Sequence, residues 1–310
     1  MNFFLGIDTS NYTTSVALCN ENGEIVANEK KLLPVAEGER GLRQSDALFN
    51  HTVQLPELFA RVESILRDNT LLGIGVSTRP RDAEGSYMPC FLAGKSAAYA
   101  MALGAGCNVY EFSHQCGHLA AALYSSDRLD LFNKEFCAFH VSGGTTDILH
   151  AVPDGENVFS VERIGGTLDL NAGQVIDRTG VMLGMRFPCG PALEKAALSY
   201  TGEKDKAKIC VKGLSCNLSG AENKAKELYE KTGDVNRCAA YTIGFIEKTV
   251  STLADAVSEK YSCPIVFAGG VMSCSVIKNS LSEKGSFAAP VFSSDNAAGI
   301  ALMARNRYFG

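Results

Sequence analysis

The order strand, polar loop, strand, tight turn, strand occurs twice in this chain and constrains its fold more than any other feature. Phe3 to Ile7 is apolar and extended, Asp8-Thr9-Ser10-Asn11 is a polar loop, and Thr13 to Cys19 is rich in β-branched and small residues. Asn22-Gly23 is a hairpin turn that Glu24 to Ala27 leaves. Near residue 135 the order returns: apolar Phe136 to Val141, the loop Ser142-Gly143-Gly144-Thr145-Thr146, Asp147 to Val152, the turn Pro153-Asp154-Gly155, then Val158 to Val161. Identities do not repeat but the order does, as expected of two related halves. The 310 residues suffice for two packed lobes.

Helices fill the intervals. Ser45 to Arg67 carries Leu48, Leu55, Leu58, Val62 and Ile65 near helical spacing, and Cys238 to Tyr261 carries Ile243, Ile246, Val250, Leu253 and Val257. Ala93 to Leu103 is alanine-rich, Pro191 can open a helix Ala192 to Tyr200, and a last helix is expected from about Asp295 to Arg307. Residues 201–234, charged and scattered with glycine, read as a surface excursion and not a domain. The class is α/β. By analogy of fold alone, actin, hexokinase and sugar kinases (the ASKHA group) use two such hairpin loops to grip phosphates between two lobes.

Composition excludes several classes. Apolar residues make up 46% of the chain, enough for large cores and against disorder. No apolar run approaches the ~20 residues of a bilayer span, and the N-terminus lacks a signal-peptide pattern. Eleven cysteines, odd in number and without a CxxC pair, fit reduced thiols. The expectation is a cytoplasmic protein with no membrane partner. A formal net charge of -5 argues against nonspecific nucleic-acid binding; a specific RNA contact needs a local patch or a partner protein.

His114-Gln115-Cys116-Gly117-His118 sets two imidazoles four residues apart, on one face of a helix that Ser113 can cap. Such a pair can share a zinc- or iron-type ion, and the same spacing describes two packing histidines. The glutamate of an HExxH motif is missing, so this motif has no peptidase general base. Asp295, ahead of an apolar helix, reads as a helix cap, and spacing does not link it to the histidines. Ser142-Gly143-Gly144 and Gly269-Gly270 each follow an apolar strand, where bare backbone lets N–H groups approach a phosphate, although a plain turn explains either loop. Asp8 and Ser10, at the end of the first strand, are the candidate catalytic side chains: Asp8 can position a metal-bound water or a phosphate, or cap its own turn. Asp177 is open between an ordinary ion pair with Arg178 or Arg163 and an acceptor for a substrate hydroxyl or amine.

Together these stretches resemble, nearly end to end and in order, the transferase subunit family of tRNA threonylcarbamoyladenosine synthase (TsaD/Kae, formerly called O-sialoglycoprotein endopeptidase or glycoprotease). The resemblance is carried by Leu5-Gly6-Ile7-Asp8-Thr9-Ser10, His114 to His118, Val141-Ser142-Gly143-Gly144, Gly166-Thr167-Leu168-Asp169 through Asp177, Gly190-Pro191-Ala192-Leu193-Glu194-Lys195, Leu218-Ser219-Gly220, Ala268-Gly269-Gly270-Val271 and Ser294-Asp295-Asn296-Ala297-Ala298. It implies an actin-like two-lobed fold with the site in the cleft. It implies one divalent ion, iron or zinc, on His114, His118 and Asp295. An adenylate (threonylcarbamoyl-AMP, or ATP/ADP) would lie on Ser142, Gly143, Gly144, Asp177, Gly190, Gly269 and Gly270. The implied reaction moves a threonylcarbamoyl group to a tRNA adenosine, with a paralogous actin-like subunit and a P-loop ATPase subunit as further partners. The expected division is an N-terminal lobe over 1–110, with helix 296–308 packing back on it, and a C-terminal lobe over 111–295 carrying the metal and nucleotide site.

The departures concern the acceptor side. Asn11-Tyr12-Thr13 stands where the family has Cys-Asp-Glu, and Arg79-Pro80-Arg81-Asp82-Ala83-Glu84-Gly85 replaces its Gly-Pro-Gly stretch. Thr145, Cys274 and Glu222 replace a His, an Asn and a Lys. A divergent carbamoyltransferase with another acceptor, or a non-catalytic nucleotide-binding subunit, are the alternatives.

Overall fold

The structure is a computed structural model describing residues 1–10, 12–34, 42–292 and 295–310. Asn11 and Ser294, singled out above, lie outside the described residues. The chain divides into two compact units: Met1–Lys134 with Val152–Val161 and Phe292–Gly310, and Glu135–Ala151 with Glu162–Val291. The division is therefore not at 110/111, and the histidine motif belongs to the first unit. The reason is local: the strand and helix that follow residue 107 pair and pack with N-terminal elements.

In the first unit, β1 (Asn2–Ser10), β2 (Thr13–Asn20), β3 (Ile25–Leu32), β4 (Thr70–Arg79) and β5 (Asn108–Ser113) form one sheet in the order β3-β2-β1-β4-β5. β1 is central, antiparallel to β2 and parallel to β4. Its period-2 alternation sorts its side chains. Leu5 and Ile7 join Val16, Ile74 and Val76 in a core with α1 (Gln44–Leu66) and α2 (Phe91–Ala105). Phe4, Gly6 and Asp8 point the other way, toward the C-terminal helix Ala298–Phe309 and α3 (His114–Ser125). Gly6 and Gly75 are glycine because that helix lies directly on them: an added Cβ would stand 2.3 Å from the Ala297 carbonyl oxygen and 2.5 Å from that of Ile300.

α1 also carries a buried histidine. Thr14 Oγ donates to Gln54 Oε1 at 2.7 Å, so the 2.8 Å contact between Thr14 Oγ and His51 Nδ1 requires Nδ1–H to donate. His51 Nε2 is then a buried lone pair with no hydrogen-bond partner among the described residues. Burial lowers this pKa to about 4, the Asp8 charge opposing it. Between pH 6.5 and about 4 the unfolded chain thus binds the proton and the folded one does not. This stability is complete above the unfolded value and is lost as pH falls, on the order of 3 kcal/mol across the window. Denaturant titrations at pH 7 and pH 5 should show a smaller loss in H51Q than in the natural chain.

In the second unit, β6 (Phe136–Val141), β7 (Thr146–Asp154), β8 (Val158–Thr167), β9 (Cys210–Lys212), β10 (Ser215–Asn217), β11 (Ile265–Ala268) and β12 (Ser286–Phe287) are ordered β12-β11-β6-β7-β8-β10-β9. Phe139, Ile148 and Phe267 form its core with Val175 of α4 (Ala172–Met182), Leu193 of α5 (Gly190–Leu198) and Ile243, Ile246 and Val250 of α7 (Val235–Tyr261). Residues 201–234 are more integrated than an excursion: they supply edge hairpin β9–β10 and α6 (Ser219–Thr232), whose Ala221, Ala225 and Leu228 are buried in the core. The interleaved Lys and Glu are the outer face of that amphipathic helix. A short α8 (Ser275–Leu281) follows β11.

A candidate metal centre and a nucleotide-sized pocket

The sequence places β5 directly before α3, so strand end and helix start coincide at Ser113. As expected, Ser113 Oγ accepts from Cys116 N–H, at 3.2 Å, and caps the helix. The replaced segment after β4 braces the same turn. Pro80 O accepts from Gln115 N–H at 3.0 Å, and Asp82 accepts from Ser113 Oγ, Cys116 Sγ and the Arg79 guanidinium.

One turn of helix then brings the imidazoles together. His114 Nε2 and His118 Nε2 are 3.0 Å apart, and Asp295 Oδ1 lies 3.2 Å from His118 Nε2 and 3.6 Å from His114 Nε2. These three ligand atoms lie within 4.8 Å of one another. Asp295, which its local sequence reads as a helix cap and the resemblance as a ligand, does not cap the helix. The helix starts three residues later, and Asn296 Oδ1 takes the Ala298 N–H at 3.1 Å, leaving the Asp295 carboxylate to face the histidines.

Asp8 and Ser10 also gather here, but behind the histidines. Both are fully buried. Asp8 accepts from Ser10 Oγ at 2.7 Å, from Ser77 Oγ, and from His114 Nδ1 at 3.2 Å. A carboxylate only accepts, so Nδ1 carries the hydrogen and Nε2 presents its lone pair to His118 and Asp295. Burial works to raise the Asp8 pKa, but His114 and Ser77 outweigh it and leave it lowered. For His114, burial works downward and the Asp8 and Asp295 carboxylates overcome it, so its pKa is raised. Asp295 is held down to about 2: burial opposes, and His118 and His114 dominate. The pocket favours positive charge, and two imidazoles with a carboxylate are a donor set for zinc or iron.

The second unit gathers the glycine loops. A cavity of about 400 Å3 is lined by Gly143, Gly173, Asp177, Gly190, Gly270 and Ser273, among others. That is the size of a small-molecule pocket. The loop after β6 is a tight turn, with Ser142 N–H on Thr145 O at 2.8 Å, and it rests on the start of α4, where Gly173 N–H donates to Ser142 O at 3.2 Å. Among the described residues, the amides of Gly143 and Gly144 have no acceptor. Gly269 has φ +99° and lies against the Val141 carbonyl, which sets Gly270 at the cavity wall. Asp177 makes neither expected ion pair: Arg178 takes Glu222, Arg163 takes Asp147, and Asp177 Oδ1 accepts from Cys189 N–H at 2.8 Å. Ser142, Gly144 and Gly269 frame the cavity without lining it. Gly173 and Ser273 were not foreseen. Ser273 Oγ, buried at the cavity wall without a partner, carries no pattern in sequence.

Two α/β units, each a mixed sheet flanked by helices, define a protein of the actin-like (ASKHA) fold. The solved ROK family glucokinase of Streptomyces griseus shares it at 12% identity, with TM-score 0.52, over 98% of this chain and 99% of that one. The family model for tRNA N6-adenosine threonylcarbamoyltransferase (TsaD) matches residues 39–302. The chain belongs to that family, which is one of acyltransferases and not of peptidases. Similar relatives of that name include those of Neorickettsia sennetsu, 27% identical over 98% of this chain and 93% of that protein, and Clostridium beijerinckii, 30% identical over 82% and 80%.

Proposed function

We propose that this protein transfers a threonylcarbamoyl group from threonylcarbamoyl-AMP to an adenosine of tRNA, using one metal ion. The convergence of His114, His118 and Asp295 in a member of this family is the observation that carries the reading. Those three residues would hold the ion, zinc or iron. When bound, it would withdraw charge from the donor's oxygens and so favour departure of AMP. Asp8 and Ser10 act through His114: Asp8 fixes the tautomer that leaves Nε2 free, and Ser10 and Ser77 hold Asp8.

The cavity of the second unit would hold the adenylate. The open amides of Gly143 and Gly144 suit phosphate oxygens, and Asp177 Oδ2, without a partner among the described residues, suits a ribose hydroxyl. In the transfer, the exocyclic amine of the acceptor forms a bond to the carbamoyl carbon while the bond from that carbon to the phosphate oxygen breaks; AMP leaves with the electron pair, and the amine nitrogen gives one proton to solvent. No protein nucleophile is needed. A paralogous actin-like subunit and a P-loop ATPase subunit are proposed partners.

The test is incubation with threonylcarbamoyl-AMP, made in place from threonine, bicarbonate and ATP by a synthase, and a tRNA transcript, followed by nucleoside mass spectrometry. Appearance of threonylcarbamoyladenosine is the expected result. Adenylate consumption that leaves tRNA unmodified would overturn the acceptor. It would favour the second reading, transfer to another acceptor, to which the altered Arg79–Asp82 segment lends support. For the pocket, an Ala Cβ at Gly173 would stand 2.6 Å from Gly143 Cα and 2.7 Å from Ser142 O. Backbone cannot yield as a side-chain tip can, so G173A should weaken binding of a nonhydrolysable adenylate analogue by about tenfold or more, since 1.4 kcal/mol of displacement suffices. G220A, where an added Cβ meets nothing within 4 Å, should leave calorimetric affinity unchanged.

A further inference from the structure

The run Lys204-Asp205-Lys206-Ala207-Lys208-Ile209-Cys210-Val211-Lys212 alternates strictly in burial, every even-numbered residue exposed and every odd-numbered one partly buried. The inward side is fastened. Asp205 is held by both nitrogens of a fork from Arg237, each at 2.7 Å, Lys248 Nζ donates to Ala207 O at 3.1 Å, and Ala207, Ile209 and Val211 pack on the core. The outward side therefore displays Lys204, Lys206 and Lys208 in the segment that leads into edge strand β9, and Lys212 at the end of that strand. Among the described residues, none of the four has an ion pair or hydrogen-bond partner. The neighbouring strand β10 adds Ser215 opposite Lys212.

Alternation of this kind is that of extended chain, which advances ~3.3 Å per residue, so Lys204, Lys206 and Lys208 stand ~6.6 Å apart and Lys212 ~13 Å beyond, along a stripe of ~26 Å. On a chain with a formal charge of -5, four uncompensated cations in a row are a local feature and not a bulk one. We infer that this stripe is a docking surface for the sugar-phosphate backbone of RNA. A linear polyanion matches a linear row of cations, and neutralising its phosphates releases counterions. An anionic lipid surface is a poorer match, because the exposed positions of the run hold only lysine and one cysteine and offer no apolar side chain to insert. Lysines on an edge strand also discourage strand pairing, a role that predicts no RNA affinity. The stripe reads backbone and not bases, so it would hold tRNA without selecting its sequence. This inference rests on tRNA being the acceptor.

The test compares the natural chain with a variant carrying K204A, K206A, K208A and K212A, and with the corresponding four Lys→Arg changes, by tRNA binding across a salt series. Each lost phosphate contact lowers the slope of log affinity against log salt by ~0.7–0.9, so the alanine variant should lose about 3 from the slope and well over tenfold in affinity near 0.1 M salt. The arginine variant should keep both, and calorimetry should show all three equally folded. If the natural chain binds tRNA and the alanine variant binds with the same slope, the stripe is only an edge guard and the inference falls while the acceptor reading stands. If the natural chain binds no tRNA at any salt, the acceptor reading falls and the inference with it. Binding of acidic peptides but not tRNA would overturn it in favour of a protein partner.

Discussion

His118→Ala should abolish metal binding and reduce transfer by more than about 100-fold. Loss of an outer-shell partner of a metal ligand already costs 10–100-fold, and His118 is itself a proposed ligand. The geometry makes it the pivot of the trio: its Nε2 is within 3.2 Å of both His114 Nε2 and Asp295 Oδ1, whereas those two are 3.6 Å apart. Elemental analysis should give about one ion per natural chain and near none in the variant. Stability of the metal-free protein should change little, because His118 is partly exposed and leaves no buried charge alone. An unchanged metal content would overturn the site. Equal loss of adenylate binding would mean a general disruption instead.

Among the described glycines of the first unit, Gly299→Ala should be the most damaging. A Cβ there would stand 1.9 Å from the Gly117 carbonyl oxygen and 2.8 Å from Ala121 N. Both are helix backbone, so α3 and the C-terminal helix must part. Overpacking of this kind costs about 3 kcal/mol, or a fall in Tm of roughly 5 °C. The effect should reach the chemistry. His114 and His118 ride on α3, while Asp295 immediately precedes the other helix, so separating the helices pulls the third ligand from the first two. Metal affinity should fall together with Tm. Gly117→Ala is the internal control: its Cβ would meet the end of the Ile300 side chain, 2.8 Å away, which can turn aside. Calorimetry and metal competition on both variants check the pair; a Gly299→Ala protein as stable as Gly117→Ala would refute the close crossing.

Much of this was legible because short-range physics decides it. Short apolar or β-branched runs located β1, β2, β6 and β11, helical spacing located α1 and α7, and Ser113 marked the start of α3. β4 and β5 were missed. Gly73 and Gly75 dilute the β-branched signal of Thr70–Arg79, and Gly75 is there for a helix more than two hundred residues away. Local rules alone could not place Asp295, for a related reason. An acid before an apolar helix is a cap by local rules, and only the tertiary arrangement shows the helix starting at Ala298, whose N–H goes to Asn296 Oδ1.

The sequence by itself determined the two repeated hairpins, the helix that aligns His114 with His118, the glycine loops and the ordered motifs that carry the family. Those follow from residue neighbours and from resemblance. Only the tertiary structure decided that the Asp295 carboxylate meets the histidines, that Asp8 hydrogen-bonds His114 Nδ1, and that the histidine helix belongs to the first unit. Each depends on contacts between segments far apart in the chain, above all the glycine-on-glycine crossing of α3 with the C-terminal helix. Such contacts are set by close packing of backbone, which no local pattern of residues encodes.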